Sequence, residues 1–130
     1  MKTKKGGMRM GIVERLDAMR TATRGCRLAA FGDLRTRLVL RASAEKSWPQ
    51  ERLDELCTLA ADSFGQADGG GMAELFAGAP LDEAIVLGRD GIRLFIRPAN
   101  GESDVICCVC DTAEALEPLA NAARAALRDM

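Results

Sequence analysis

The stretch Glu83–Arg97, EAIVLGRDGIRLFIR, reads as two apolar strands folded back on each other at Asp90-Gly91. Asp-Gly between apolar runs is a strong hairpin signal, because glycine takes the positive φ that a tight turn requires. Ala84, Ile85, Val86 and Leu87 are apolar at every position, so both faces of that first strand call for cover, whereas Ile92–Arg97 alternates. Downstream, PANGESD is a second turn, and Val105–Cys110 is a further strand. Being apolar throughout, it fits a central strand covered on both faces.

Upstream of the hairpin the pattern changes period. Ile12, Leu16, Met19 and Thr23 recur at helical spacing, which predicts a helix from about Met8 to Arg24 that Gly25 stops. CRLAAFGDLRTRLVLRAS predicts two more strands, Cys26–Phe31 and Arg37–Ala42, joined by the turn GDLRT with Gly32 and Asp33 supplying the turn chemistry. In KSWPQERLDELCTLAADSFG, Ser47 and Gln50 have capping-box spacing and Pro49 suits a first helical turn. Leu53, Leu56, Leu59, Ala60 and Phe64 give that second helix a wide apolar face, and Trp48 reads as a staple at its entry. Gln66–Asp82 reads as a long connection broken by Gly69-Gly70-Gly71, with Met72–Phe76 able to resume the helix. The three glycines follow a helix and lack the Gly-Lys-Ser/Thr of a phosphate loop. A last helix starts near Glu114 or Ala115, so that Pro118 falls in its first turn, and buries Leu116, Leu119, Ala123 and Leu127.

The predicted order is helix, strand, strand, helix, strand, strand, strand, helix. Short turns make sequential strands antiparallel neighbours, and apolar character on both sheet faces calls for helices on both sides. The fold class is therefore α+β, a three-layer α/β/α sandwich on one antiparallel sheet. Residues 8–130 form one domain, and the basic residues 1–7 a flexible tail; a basic arm touching anionic lipid or RNA is the sharper alternative for that tail. The N-terminus lacks the apolar core of a secretory signal.

Composition excludes several functions. A net charge of −1 gives no excess of Lys and Arg for a nucleic-acid groove, and no apolar run reaches the ~18 residues of a membrane helix. The chain has no His and no Tyr, so the usual general base and most nucleophile–base pairs are missing. Ser43, Ser47, Ser63 and Ser103 stand outside any catalytic-serine motif, and Asp33, Asp82, Asp90, Asp104 and Asp111 sit at turns or element ends. The five cysteines, Cys26, Cys57, Cys107, Cys108 and Cys110, lack zinc spacing and sit in apolar context, which reads as reduced core thiols in a cytoplasmic protein. On a strand, Cys107 faces one side and Cys108 and Cys110 the other. No enzyme, cofactor or metal is expected.

In element order and in three segments the chain resembles the roadblock family, the dynein light chain and small-GTPase regulator proteins. CRLAAFGDLRTRLVL resembles that family's first hairpin, EAIVLGRDGIRLFIRP its third and fourth strands, and DVICCVCD its fifth. One departure is Arg37, where many relatives carry a glycine after the turn. The resemblance implies a profilin-like roadblock fold with sheet order 2-1-5-4-3, the second helix on one face and the first and last on the other. It implies a homodimer in which third strands pair edge to edge through Ala84, Ile85, Val86 and Leu87. The second helices, with Leu56 and Leu59, then lie together across the joined sheet. It further implies a partner, a Ras-like small GTPase that bacterial relatives bind across the paired second helices and activate without donating an arginine finger, or a scaffolded complex. On this chain the matching exposed positions are Arg52, Glu55 and Asp62. The alternative is a sensor holding a small ligand between sheet and helix, which needs a pocket with convergent polar groups.

Overall fold

Asp104–Cys110, strand β5, is the spine of the molecule: every residue from Val105 to Cys110 is buried, and strands pair with it on both sides. The computed structural model describes residues 11–69, 81–98, 100 and 102–129. In chain order the elements are α1 (Ile12–Ala22), β1 (Cys26–Asp33), β2 (Leu38–Ala44), α2 (Gln50–Gly69), β3 (Glu83–Gly88), β4 (Gly91–Ile96), β5, a 3-10 turn at Ala113–Ala115, and α3 (Leu116–Arg128). The expected basic tail, the residues from Met8 to Met10 and the Met72–Phe76 segment lie outside the described residues.

The five strands form one antiparallel sheet in the order β2-β1-β5-β4-β3. On one face Ala29, Phe31, Leu94, Ile96, Ile106, Cys108 and Cys110 pack against Leu16 and Met19 of α1 and Leu119, Ala120, Ala123 and Ala126 of α3. The alanines let α3 approach the sheet closely. On the other face Leu28, Ala30, Val39, Phe95, Val105, Cys107 and Val109 meet Leu53, Leu56, Cys57, Ala60 and Phe64 of α2. The predicted three layers and the split of Cys107 from Cys108 and Cys110 are both present.

Four local expectations are corrected. Gly32 and Asp33 remain in β1, and the turn is Leu34–Arg37. A side chain on Gly32 would meet the Leu38 carbonyl at 2.8 Å, so glycine is required there by close packing. The glycine-like position is Arg37, at φ 62°. Asp33 holds this turn: its carboxylate accepts from the Arg35 N–H and the Thr36 hydroxyl, both at 3.1 Å, and its carbonyl accepts from the Arg37 N–H at 2.7 Å. Second, the β3–β4 loop is Arg89-Asp90, one residue earlier than expected, because Gly88 and Gly91 pair across it. Third, α2 runs on through Gly65 to Gly69. The ~1 kcal/mol cost of a helical glycine is outweighed by its neighbours: Phe64 is buried, and Asp68 takes both terminal nitrogens of Arg97 at 2.7 and 2.9 Å. Fourth, Gln50 does not close a capping box. Its amide is turned to the backbone of β2 instead.

Candidate interaction site

The sheet has two edges, β2 and β3. Along β3, pairing with Ile96, Leu94 and Ile92 turns Glu83, Ile85 and Leu87 toward the α1/α3 face, and pairing with Phe95 and Arg93 turns Ala84 and Val86 toward α2. Ala84 and Val86 are half-buried against the α2-side core, whereas Ile85 is 46% and Leu87 77% exposed. Arg124 of α3 fixes where β3 begins, with contacts to Asp82 at 3.1 Å and Glu83 at 2.7 Å. Among the described residues no side chain hydrogen-bonds the backbone of Glu83–Gly88. An apolar edge left like this is a template for another strand.

The β2 edge is finished differently. The Val39 N–H donates to Asp54 Oδ1 at 2.9 Å, and Gln50 Nε2 donates to the Val39 carbonyl at 2.8 Å. Gln50 also bonds Asp54 at 2.9 Å, so the two side chains cap the strand as a unit. A register shift opposite Phe31/Gly32 bulges β2 at Leu40. Both devices block strand addition.

Between α2 and the β3–β4 hairpin lies a shallow groove of about 230 Å³, lined by Trp48, Arg52, Glu55, Leu56, Leu59, Asp90, Arg93 and Val109. Arg52 stacks over the Trp48 ring at 4.5 Å and reaches Asp90 at 3.1 Å; Arg93 meets the same carboxylate at 3.7 Å. Gly88 makes room for the Arg93 guanidinium, where a Cβ would lie 1.6 Å from a terminal nitrogen. The charges thus tie the hairpin tip to α2. They are spent on each other rather than pointed at a ligand, and the volume falls below the ~300 Å³ usual for a small-molecule site.

Among solved structures, a Roadblock/LC7 domain from Streptomyces avermitilis superposes with a TM-score of 0.71 at 10% identity, covering 92% of this chain and 94% of that one. This is the roadblock fold. The gliding protein MglB of Thermus thermophilus gives a TM-score of 0.61 at 23% identity, over 89% of this chain and 94% of that one. MglC of Myxococcus xanthus gives 0.62 at 8% identity, over 93% and 100%. No family model matches the sequence, and no curated protein matches it.

In this roadblock fold the residues singled out from sequence fall into distinct settings. Ala84, Ile85, Val86 and Leu87 form one open edge. Leu59 is half-buried in the groove wall, whereas Leu56 is only 5% exposed and already serves the chain's own core. Arg52 is held by Asp90 and Trp48, and Asp62 by Arg37 at 2.9 Å; Glu55 is exposed with no ion pair among the described residues. Sequence reading missed Gln50 and Asp54 as an edge cap. Their i, i+4 spacing beside the apolar face of α2 is the available signal. Among the described residues no group of His, Cys, Asp and Glu is arranged to hold a metal, and no helix is long and apolar enough to cross a membrane.

Proposed function

We propose that this chain is a non-enzymatic, dimeric interaction module of the cytoplasm. Two copies join at their β3 edges, and the α2 face of the dimer receives a Ras-like small GTPase or scaffolds a complex. The observation that carries the reading is the open β3 edge, with Ile85 and Leu87 exposed and the backbone of Glu83–Gly88 free of side-chain caps among the described residues. Strand addition there would satisfy that backbone and bury both residues. Glu55 and the outer atoms of Arg52 are the partner contacts, with Asp62 beyond them. The GTPase rests on the roadblock resemblance and is an argument by fold, which is weaker than one from a site.

Light scattering tests the dimer. The wild-type chain is expected at twice 13.9 kDa and Ile85→Asp at 13.9 kDa; an unchanged Ile85→Asp dimer would sink the edge assignment. Affinity capture with a GTP analogue and with GDP tests the partner. A small GTPase retained in one nucleotide state supports the reading. Reversing charge at Arg52 and Glu55 is expected to release it while the dimer survives, and undiminished retention removes the α2 face from consideration.

A further inference from the structure

A groove runs between α1 and α3, on the side of the sheet away from α2. The two helices are antiparallel. Arg15, near the start of α1, is bonded to Asp129 just past the end of α3, and Thr23 and Pro118 share the other end of the groove. Ala18 and Ala22 of α1 and Ala122, Ala125 and Ala126 of α3 keep the walls short, which leaves a cleft of about 390 Å³ over the buried Met19. Apart from Arg15 and Thr23 the lining is apolar.

The rim is acidic. Glu14 and Glu114 each stand one turn before a lining residue, Ala18 and Pro118, and Asp17 and Glu117 lie next to them in sequence. All four carboxylates are exposed, and among the described residues none has an ion pair. The cations beside them are Arg15, which Asp129 neutralises, and Arg128.

Residues 1–10, MKTKKGGMRM, carry the complementary chemistry: Lys2, Lys4, Lys5 and Arg9, no acid, and Met1, Met8 and Met10. They join α1 at its N-cap Gly11, which is the Arg15 end of the groove. Glu14 stands over that junction, since a Cβ at Gly11 would lie 2.7 Å from its Oε1. Ten extended residues reach about 33 Å, twice the ~16 Å length of the 11-residue α1. The chain outside the described residues is therefore long enough to turn back and run the length of the groove.

We propose that residues 1–10 fold back at Gly11 and dock in the α1/α3 groove of their own chain. Met8 and Met10, unbranched and adaptable, fill the space between the alanines. Lys2, Lys4 and Lys5 lie along the rim carboxylates, and Gly6 and Gly7 let the backbone follow the groove. Docking here leaves the β3 edge and the α2 face open, so it is independent of dimer formation and of partner binding.

A water-soluble carbodiimide tests this directly, because it joins an amine to a carboxylate in contact with it. Equal parts of unlabelled and isotope-labelled full chain are mixed, treated and mapped by mass spectrometry. Links from Lys2, Lys4 or Lys5 to Glu14, Asp17, Glu114 or Glu117 are expected, all within one copy. Limited trypsin, read by intact mass, gives a second measure. Ala18 is exposed, so Ala18→Arg should fold while placing a cation in the groove. Loss of residues 1–9 should be about tenfold faster in that variant than in wild type, since cleavage follows the undocked population. Ala42→Arg adds the same charge at an exposed position on β2 and should be cut at the wild-type rate. Equal cleavage of wild type and Ala18→Arg would overturn the proposal. So would the absence of links to the rim carboxylates, or links that join labelled to unlabelled copies, which would put a neighbour's segment in the groove.

Discussion

Strand β2 leaves Leu38 and Leu40 at 46% and 48% exposed, and strand β3 leaves Ile85 and Leu87 at 46% and 77%; both sheet edges show two large apolar side chains to solvent. The backbones differ. At β2 the Val39 N–H and carbonyl are held by Asp54 and Gln50 and the strand is bulged, whereas β3 runs in regular register from Glu83 to Gly88. Exposed leucine is therefore a poor guide to an assembly edge. The state of the outward hydrogen-bonding groups distinguishes the edge that can accept a strand from the edge that cannot.

The largest effect should come from placing charge on each edge in turn. Leu87→Lys is expected to weaken self-association at least a hundredfold, since each copy would lose the roughly 1.5–3 kcal/mol of burying a leucine. Leu40→Lys should leave it unchanged. Sedimentation velocity across a dilution series reads both, and equal effects would erase the distinction between the edges. Uncapping β2 is the next test. Asp54→Ala leaves the Val39 N–H without its acceptor and should cost about 1–2 kcal/mol in urea unfolding. It should also produce species larger than the dimer as the second edge opens. Retention of wild-type stability would mean the cap contributes nothing.

The smallest effect concerns how α2, which carries the cap, is anchored at its far end. The hydrogen bonds from Arg97 hold the Asp68 carboxyl below its ordinary value of 3.8. A carboxyl with a lowered folded pKa stabilises fully above the unfolded value, and that contribution is lost as pH falls through the folded one. Wild type should therefore lose more stability than Asp68→Asn between pH 7 and pH 3. Asp68 is nearly half exposed, so screening limits the difference to at most about 1 kcal/mol. Parallel pH profiles of the two urea midpoints would remove Asp68 from the anchor.

Element order, layers and the buried character of β5 were legible because each rests on local pattern: period, apolar runs and turn residues. The local misreadings share a cause in contacts made at a distance. Gly32 looked like a turn residue, and its smallness serves Leu38 and Cys57. Gln50 had capping-box spacing, and Val39, eleven residues earlier, claimed its amide. Gln66 onward looked like a connection, and the Asp68–Arg97 pair, joining residues 29 apart, lies on the helix there. The open edge was legible as an apolar run, since Ala84–Leu87 has no polar face. The capped edge was not, because a cap is a side chain meeting a backbone group from another element. Arg52 and Asp62 looked like free surface charges for the same reason; their partners Asp90 and Arg37 are 38 and 25 residues away.

Strand β5 is the last strand to be synthesised and the middle one in the sheet. Until Asp104–Cys110 has left the ribosome, the β1–β2 and β3–β4 hairpins have no strand between them, and isolated hairpins are marginal in water. The nascent chain therefore carries two unjoined halves from the completion of β4 at Ile96 until β5 follows, and the native sheet closes in a single late event. A chain stopped after Ser103 should show no cooperative urea transition by circular dichroism. A sharp transition would mean that one half stands without the strand that joins them.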